Sequence, residues 1–567
     1  MLMGSENSGN ELLRKLADVA KRLGEGGNPD DHDTRTLLAD AKFQLSSGPS
    51  ACELLETIGI DLPSIFMKIA VTTTGACKEL AESLLEILLK SCDARDMFTA
   101  YMEVLDLYTV PDSPEICFLL LDGLSKIFVR IQRRRTAYIK DSVLGILKAV
   151  RAVADTDYSW KVVDKAIQLA IVLVDLTLHE KVNEQIQKLH EILAIFILLL
   201  LEQVSEIKQV NYSITVQPMI MQLARQLSVC GLTDLDLITG RFCEKVIDAL
   251  TDDLVDGDGY IVQVKQGAMV AVWWRFCFDK EAMDYQETVD SIMIGLRSSR
   301  HVFRSVLSNP LVLLSSVEKT WKRVEMGVDL LSTFLEWGIE HSDGPFQIHS
   351  DILEPDDFIE LYKVLEVLQN VILFCPQSAT RQNAYKVLVN MIRNVLPPEE
   401  KFKALKQLIT QSEQSSMISL LMYVVKEEVD NAISLRRDPS KQHLNSPFAS
   451  EKVMELINFV LRPTTGPPEL PQQIDAVLSA LNLYRFLLIK EEAGRSNYTG
   501  VLLKSSLEEA CSKWFHPLRT FLEGFKRSFC ASDADVTASV LLSVSCVEGV
   551  LYRCLELAEA ALKNHYT

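Results

Sequence analysis

LYKVLEVLQNVILFCPQSATRQNAYKVLVNMIRNVL, residues 361–396, decides the fold of this chain. Leu361, Val364, Leu365, Leu368, Val371 and Ile372 recur at three- and four-residue spacing, the stripe of a helix buried along one face. Pro376 disfavours helical geometry at Cys375, so that helix ends near Phe374. Ser378 is placed to cap a second helix, whose apolar stripe is Ala384, Val387, Leu388, Met391 and Val395. Pro397 and Pro398 stop it. Two amphipathic helices joined by a tight turn form an αα-hairpin, and neither can bury its whole stripe on the other. A chain that repeats the unit buries the remainder by stacking.

The same periodicity extends in both directions. Toward the N-terminus it predicts helices at 11–23, through Phe43, and at 52–58, 63–71, 76–90, 94–107, 115–132, 136–155, 160–178, 180–209, 216–230 and 234–254, with residues 1–9 irregular. Beyond the Gly- and Asp-rich stretch DDLVDGDGY (252–260) it resumes at 261–277, 285–296, 302–307 and 311–337. After the opening pair come 399–410, 415–435, 451–461, 472–492, 502–529 and 536–564. No segment alternates with period two over six residues. The expected fold is all-α, an elongated HEAT/armadillo-like helical-repeat solenoid with degenerate repeats. The break at 252–260 divides it into an N-terminal helical-repeat domain, 1–255, and a C-terminal HEAT-like domain, 260–567.

Composition narrows the partners. A 567-residue chain that is 48% hydrophobic can bury a large core, and 7% aromatic residues suit packing dominated by Leu, Val, Ile and Ala. A net charge of −19 repels phosphate backbones, so no nucleic acid is expected and a protein is the expected partner. The longest apolar run, ILAIFILLLL (192–201), rises about 15 Å as a helix, half a bilayer core, and reads as a central core helix. No membrane association is expected, and the opening MLMGSENSGNELL lacks the pattern of a secretion signal. The twelve cysteines form no CxxC and mostly fall within apolar helical patterns, which implies buried thiols in a reducing compartment. The free chain is expected to be a monomer.

Motifs of chemistry are sought without success: no phosphate loop, dinucleotide fingerprint, GxSxG elbow or HExxH occurs. Aligning DGDGYI (256–261) with a calcium loop puts Leu254 at the first ligand position and Lys265 at the twelfth, so it reads as an acidic turn. Trp273 and Trp274 read as core. Arg130, Arg133, Arg134 and Arg135 form the one dense basic cluster, either a nuclear-import signal or a solvated helix end whose dipole favours cations. The expectation is a protein that is not an enzyme, with no cofactor and no metal.

In the C-terminal half, residues 361–395, LLMYVVKEEVDNAI (420–433), VLSALNLYRFLLIKEE (477–492) and KWFHPLRTFLEGFK (513–526) resemble the glomulin family. The likeness is clear over about 360–530 and architectural before it. It implies a regulator of cullin–RING (SCF-type) ubiquitin ligases that binds the RING subunit, with or without its cullin, and blocks the ubiquitin-conjugating enzyme sterically. By the same resemblance Lys426, Arg485 and Lys490 are candidate RING contacts, with Arg436 and Arg437 weaker ones. The bland reading of Lys426 is an i,i+4 pair with Asp430. An armadillo- or karyopherin-like scaffold or transport adaptor is the alternative. Either would work in the nucleus, the cytoplasm or both.

Overall fold

The computed structural model describes residues 2–46, 49–107, 114–153, 159–178, 184–205, 216–243, 257–278, 285–315, 321–340, 354–437, 445–462, 468–529 and 534–564. Among them the regular elements are helices and no strand occurs. Helices pack on others close to them in the chain. Leu62–Thr72 lies on Gly75–Ser91, Pro114–Arg130 on Ser159–Leu178, Pro355–Phe374 on Ser378–Asn390, and Ser415–Arg437 on Ile474–Gly494. Near-neighbour stacking without a sequence consensus makes this an all-α, HEAT/armadillo-like helical-repeat solenoid with degenerate repeats.

The hairpin at 361–396 forms as its stripes require. The first helix spans Pro355–Phe374, with a proline in its first turn, where the missing N–H costs nothing. Asp357 accepts from the Glu354 backbone N–H at 3.0 Å and so satisfies a donor at the helix start. Leu361, Val364, Leu365, Leu368 and Val371 are buried, and Ile372 is half-buried. The second helix begins at Ser378, but the cap position is Gln377 and no side chain caps it. Instead Arg381 donates to the Cys375 and Pro376 carbonyls at 2.7 and 3.0 Å and fixes the turn from inside the second helix. That helix ends in a π-helical turn, Met391–Val395, just before the two prolines. A second π-helical turn, Ala510–Phe515, precedes Pro517, so the 502–529 helix is a composite of Lys504–Glu509, this turn and His516–Phe529.

The chain forms two compact units, Met1–Phe334 and Leu335–Thr567, not the expected 1–255 and 260–567. The physical reason is the Gly257–Trp273 helix, which packs on Glu184–Val204 within the first unit. The acidic turn expected at 256–261 divides likewise: Asp256 is outside the described residues, whereas Gly257 and Asp258 already belong to this helix. The helix expected over 234–254 is interrupted: Asp234–Thr239 closes at Gly240, φ 68°, helical geometry resumes at Phe242, and the part of the expected span beyond 243 lies outside the described residues. At the other end, the first helix starts at Leu2, although residues 1–9 read as irregular.

The centre of the first unit is the Glu184–Val204 helix, which packs on Arg135–Ala152, Ser159–Leu178, Val216–Val229 and Gly257–Trp273. Every residue from Ile192 to Val204 is buried, which explains the apolar run without a membrane. No helix among the described residues is long and apolar enough to cross one. The approach to Gly257–Trp273 is so close that a Cβ at Gly267 would sit 1.9 Å from the Leu198 carbonyl oxygen. Where this helix ends, Arg323 is 2% exposed and pairs with Glu202, Nη2 to Oε1 at 2.7 Å. The same guanidinium donates to the Glu202 carbonyl at 2.8 Å, Ser205 Oγ at 2.8 Å and Gln266 Oε1 at 3.3 Å. Trp273 and Trp274 are core, edge to face at 5.1 Å.

Of the described cysteines most are buried, Cys277 and Cys511 are half-buried and Cys52 and Cys546 are exposed, and all eleven are free thiols. Burial pushes Cys92 and Cys117 up to about 11 and Cys230 and Cys554 up to about 12, which keeps them as protonated, unreactive thiols near neutrality. A maleimide at pH 7 is therefore expected to label Cys52 and Cys546 first, and these four only in denaturant, as peptide mass mapping would read. Gly267→Ala forces a methyl group into backbone that cannot yield. It is expected to cost about 3 kcal/mol, measured as a lower urea midpoint.

Candidate partner-binding site

The Ser415–Arg437 helix buries one stripe, through Met417, Leu421, Val424, Val425, Glu428 and Ala432. Its partner Ile474–Gly494 is buried on two sides, toward the first helix and toward Lys452–Leu461 and Ala534–Asn564. Tyr484, fully buried, anchors it edge to face between Trp514 and Phe515, at 5.8 and 5.2 Å. Small residues meet where the two helices approach: Ser419 and Ser479 share a hydrogen bond, and Ser415 Oγ accepts from the Ala476 N–H at 3.0 Å.

Beyond those serines the helices part into an open groove of about 330 Å³. Met422, Tyr423 and Lys426 line one wall; Arg485, Phe486 and Ile489 line the other. Tyr423 is 53% exposed and Ile489 48%. The Lys426 ammonium lies 5.2 Å from the centre of the Phe486 ring, a cation–π contact that leaves its outer face to solvent. Among the described residues neither the Lys426 nor the Arg485 side chain has an ion pair or hydrogen bond. Two cations thus stand in a groove of mixed polar and apolar lining, with no carboxylate attached to either.

The other three candidate cations are used by the fold. Lys490 forms an ion pair with Asp430, so Asp430 does not pair with Lys426 as its i,i+4 spacing suggested. Arg436 donates to the Ala449 carbonyl at 2.7 Å and lies 4.7 Å from the Tyr498 ring centre. Arg437 donates to the Lys490 carbonyl at 2.7 Å and to Ser496 Oγ at 3.3 Å, which satisfies an orphan acceptor at the end of the neighbouring helix. Buried Glu491 holds the chain that follows, accepting from the Thr499 N–H at 3.0 Å, from Thr499 Oγ1 at 3.1 Å, and from Ser496 Oγ. The structure therefore brings Lys426 and Arg485 together and sets Arg436, Arg437 and Lys490 to joining helix ends and loops.

Sequence reasoning passed over Tyr423, Phe486 and Ile489. Tyr423 lies off the stripe marked by Met417, Leu421, Val424 and Val425, a detectable sign. Phe486 and Ile489 carry no such sign, since almost every position of VLSALNLYRFLLI is apolar.

The Arg130 cluster is a helix end, as the dipole argument proposed. Arg130 donates to the carbonyls of Leu89 and, at 2.7 Å, Cys92, at the close of the Gly75–Ser91 helix. Arg133 and Arg134 are exposed.

Stacked helices with an open groove between two of them define a helical-repeat protein whose recognisable surface is a groove of mixed apolar and cationic character. Residues 325–537 match the model of a family described as the uncharacterised protein family YAP/Alf4/glomulin. It is similar to Aberrant root formation protein 4 of Arabidopsis thaliana, 28% identical over 580 residues, covering 98% of this chain and 89% of that protein. The likeness thus extends through the N-terminal half. It is also similar to the Glomulin of Homo sapiens and of Mus musculus, each 25% identical, over 170 and 171 residues; these stretches cover 28% of this chain and 27% of either Glomulin. A solved circular tandem repeat protein aligns over 99% of this chain and all of its own at 10% identity, with a TM-score of 0.19, too low to carry an argument.

If the three cations serve the fold and the two in the groove do not, truncation separates them. Arg437→Ala is expected to cost about 2 kcal/mol, because hydrogen bonds from a charged donor are lost at a helix end. Lys426→Ala and Arg485→Ala are expected to stay within about 0.5 kcal/mol of the parent. Denaturant titration of the three variants checks this.

Proposed function

We propose that this chain is a stoichiometric regulator of cullin–RING (SCF-type) ubiquitin ligases, binding the RING subunit through the groove between Ser415–Arg437 and Ile474–Gly494. The observation that carries the reading is the pair Lys426 and Arg485, unpaired and flanked by Tyr423, Phe486 and Ile489, within the residues matched to the glomulin family. Such a groove favours a partner surface that joins apolar side chains to carboxylates. A RING held there is covered over the face that receives the conjugating enzyme, so inhibition is by exclusion. The chain then needs no chemistry of its own, and acts as a scaffold rather than an enzyme.

An adaptor for basic cargo is disfavoured at this groove, since Lys426 and Arg485 would repel the cargo's cations. The setting is the nucleus, the cytoplasm or both. One relative carries root formation in its name, and a role in root development belongs to the same proposal.

The test is a titration of the chain into ubiquitin-chain assembly by a cullin–RING ligase. Activity should fall, saturate near one inhibitor per ligase, and return with excess conjugating enzyme. Arg485→Glu places a like charge against the partner's carboxylates and should weaken binding to the isolated RING subunit by about a hundredfold, with helicity unchanged. Unaltered affinity would remove the groove from the proposal; no binding by the parent chain would remove the RING.

A further inference from the structure

The first unit carries a cleft of opposite sign. It opens among the helices Gly75–Ser91, Pro114–Arg130 and Ser159–Leu178, with a volume of about 480 Å³. Glu79, Glu82, Glu86 and Asp122 line it, against one cation, Lys165. Two of these carboxylates are already occupied: Lys126 bridges Glu86 and Asp122, and Lys165 lies 3.6 Å from Asp122. Glu79 and Glu82 have no ion pair or hydrogen bond among the described residues, and stand one turn apart on the Gly75–Ser91 helix. Leu85, Leu89 and Phe118 supply apolar wall.

Acidic residues at a helix surface are commonly no more than a solvated face. Tyr101 sets this cleft apart. It lines the cleft while only 1% exposed, and among the described residues its hydroxyl has no hydrogen-bond partner. A hydroxyl that faces the cleft without a protein partner offers one donor and its lone pairs to whatever fills it. The hydroxyl reaches the cleft because position 123 lacks a side chain: a Cβ there would lie 2.1 Å from the ring's Cε1 and 2.7 Å from its oxygen. Glycine inside a helix costs about 1 kcal/mol relative to alanine, so the opening is kept against helix propensity. Burial first, then Glu86 and Asp122, raise the pKa of Tyr101 and hold it as a hydroxyl able to accept as well as donate.

We propose that this cleft binds an arginine side chain presented by a basic segment of a partner protein. Glu79 and Glu82 would take the guanidinium, the Tyr101 hydroxyl would accept one of its remaining N–H groups, and Phe118 would pack along its plane or stem. A guanidinium suits this set better than an ammonium. It is planar, offers five donors in a fixed fork, and packs on an aromatic ring while paired. The cleft lies within the first unit and stands whether or not the Lys426–Arg485 groove binds a RING.

The experiment uses the full chain and the fluorescein-labelled peptide Gly-Arg-Leu-Arg-Leu-Gly, with anisotropy as the readout. Saturable binding at one site per chain is expected, with the lysine version of the peptide about tenfold weaker and the glutamate version not bound. The double variant E79Q/E82Q, at positions exposed or half-exposed, should weaken binding on the order of tenfold, and Tyr101→Phe by a similar factor. Glu184→Gln, on another helix, should change nothing. Circular dichroism accompanies each variant; were Tyr101→Phe to unfold, E79Q/E82Q still decides. Equal affinity for the lysine peptide, unchanged binding by E79Q/E82Q, or an equal loss in Glu184→Gln would overturn the proposal, the last by assigning binding to net charge alone. Free arginine competing at the peptide's own affinity would overturn the protein partner and leave a small-molecule site.

Discussion

Arg323 meets Glu202 where the Glu184–Val204 helix has run out of hydrogen bonds of its own, in surroundings that leave both side chains nearly dry. A helix buried all round satisfies its backbone internally except in its last turn, whose carbonyls need outside donors. Arg323 supplies one donor to the Glu202 carbonyl and others to the Glu202 carboxylate, Ser205 and Gln266. Gln266 in turn donates to the Val312 carbonyl at 3.1 Å, and Gln203 to that of Leu147 at 3.2 Å. One buried cation thereby ties helices from three parts of the sequence around the apolar run. Removing one partner of such a pair costs about 3–5 kcal/mol, because the other charge stays buried. The close approach at Gly267 depends on the same arrangement: helices touching at the backbone tolerate little rotation, so the polar node and the apolar contact fix each other's register.

The second unit uses its cations differently. Arg436 and Arg437 sit at the end of one helix and hold the returning chain, while Glu491 does the same from the end of the next. These contacts set the spacing of the Ser415–Arg437 and Ile474–Gly494 helices, and the spacing makes the groove. Lys426 and Arg485 come from the middle of those helices, away from any orphan carbonyl, and project between the walls. Position along the helix, more than residue type, separates a cation that the fold consumes from one that it leaves for a partner.

Periodicity carried most of the architecture because burial in a helical stack depends on local spacing. The stripe Leu361, Val364, Leu365, Leu368 and Val371 is buried in the order read, and Pro376 and the pair Pro397–Pro398 end the helices where they stand. It failed where a tertiary contact decides. Nothing in DDLVDGDGY says that the helix after it returns to Glu184–Val204, so a composition break was mistaken for the border of a unit. The candidate site was half legible for the same reason. Arg485 and Lys490 interrupt apolar stripes in the sequence, yet only the packing shows that Asp430 faces Lys490 and that Phe486 lies beneath Lys426. The acidic cleft was missed entirely, since Tyr101 and Gly123 look unremarkable until their helices are placed side by side.

Arg437 reaches the Lys490 carbonyl by crossing the space beside Gly494, where a Cβ would lie 1.6 Å from its Nη2. The glycine is thus explained by a side chain on a different helix, and its own backbone needs no left-handed geometry. In relatives the two positions should change together. A chain that acquires a side chain at 494 loses the reason to keep arginine at 437, and one that loses the arginine is released to strengthen the helix end with alanine.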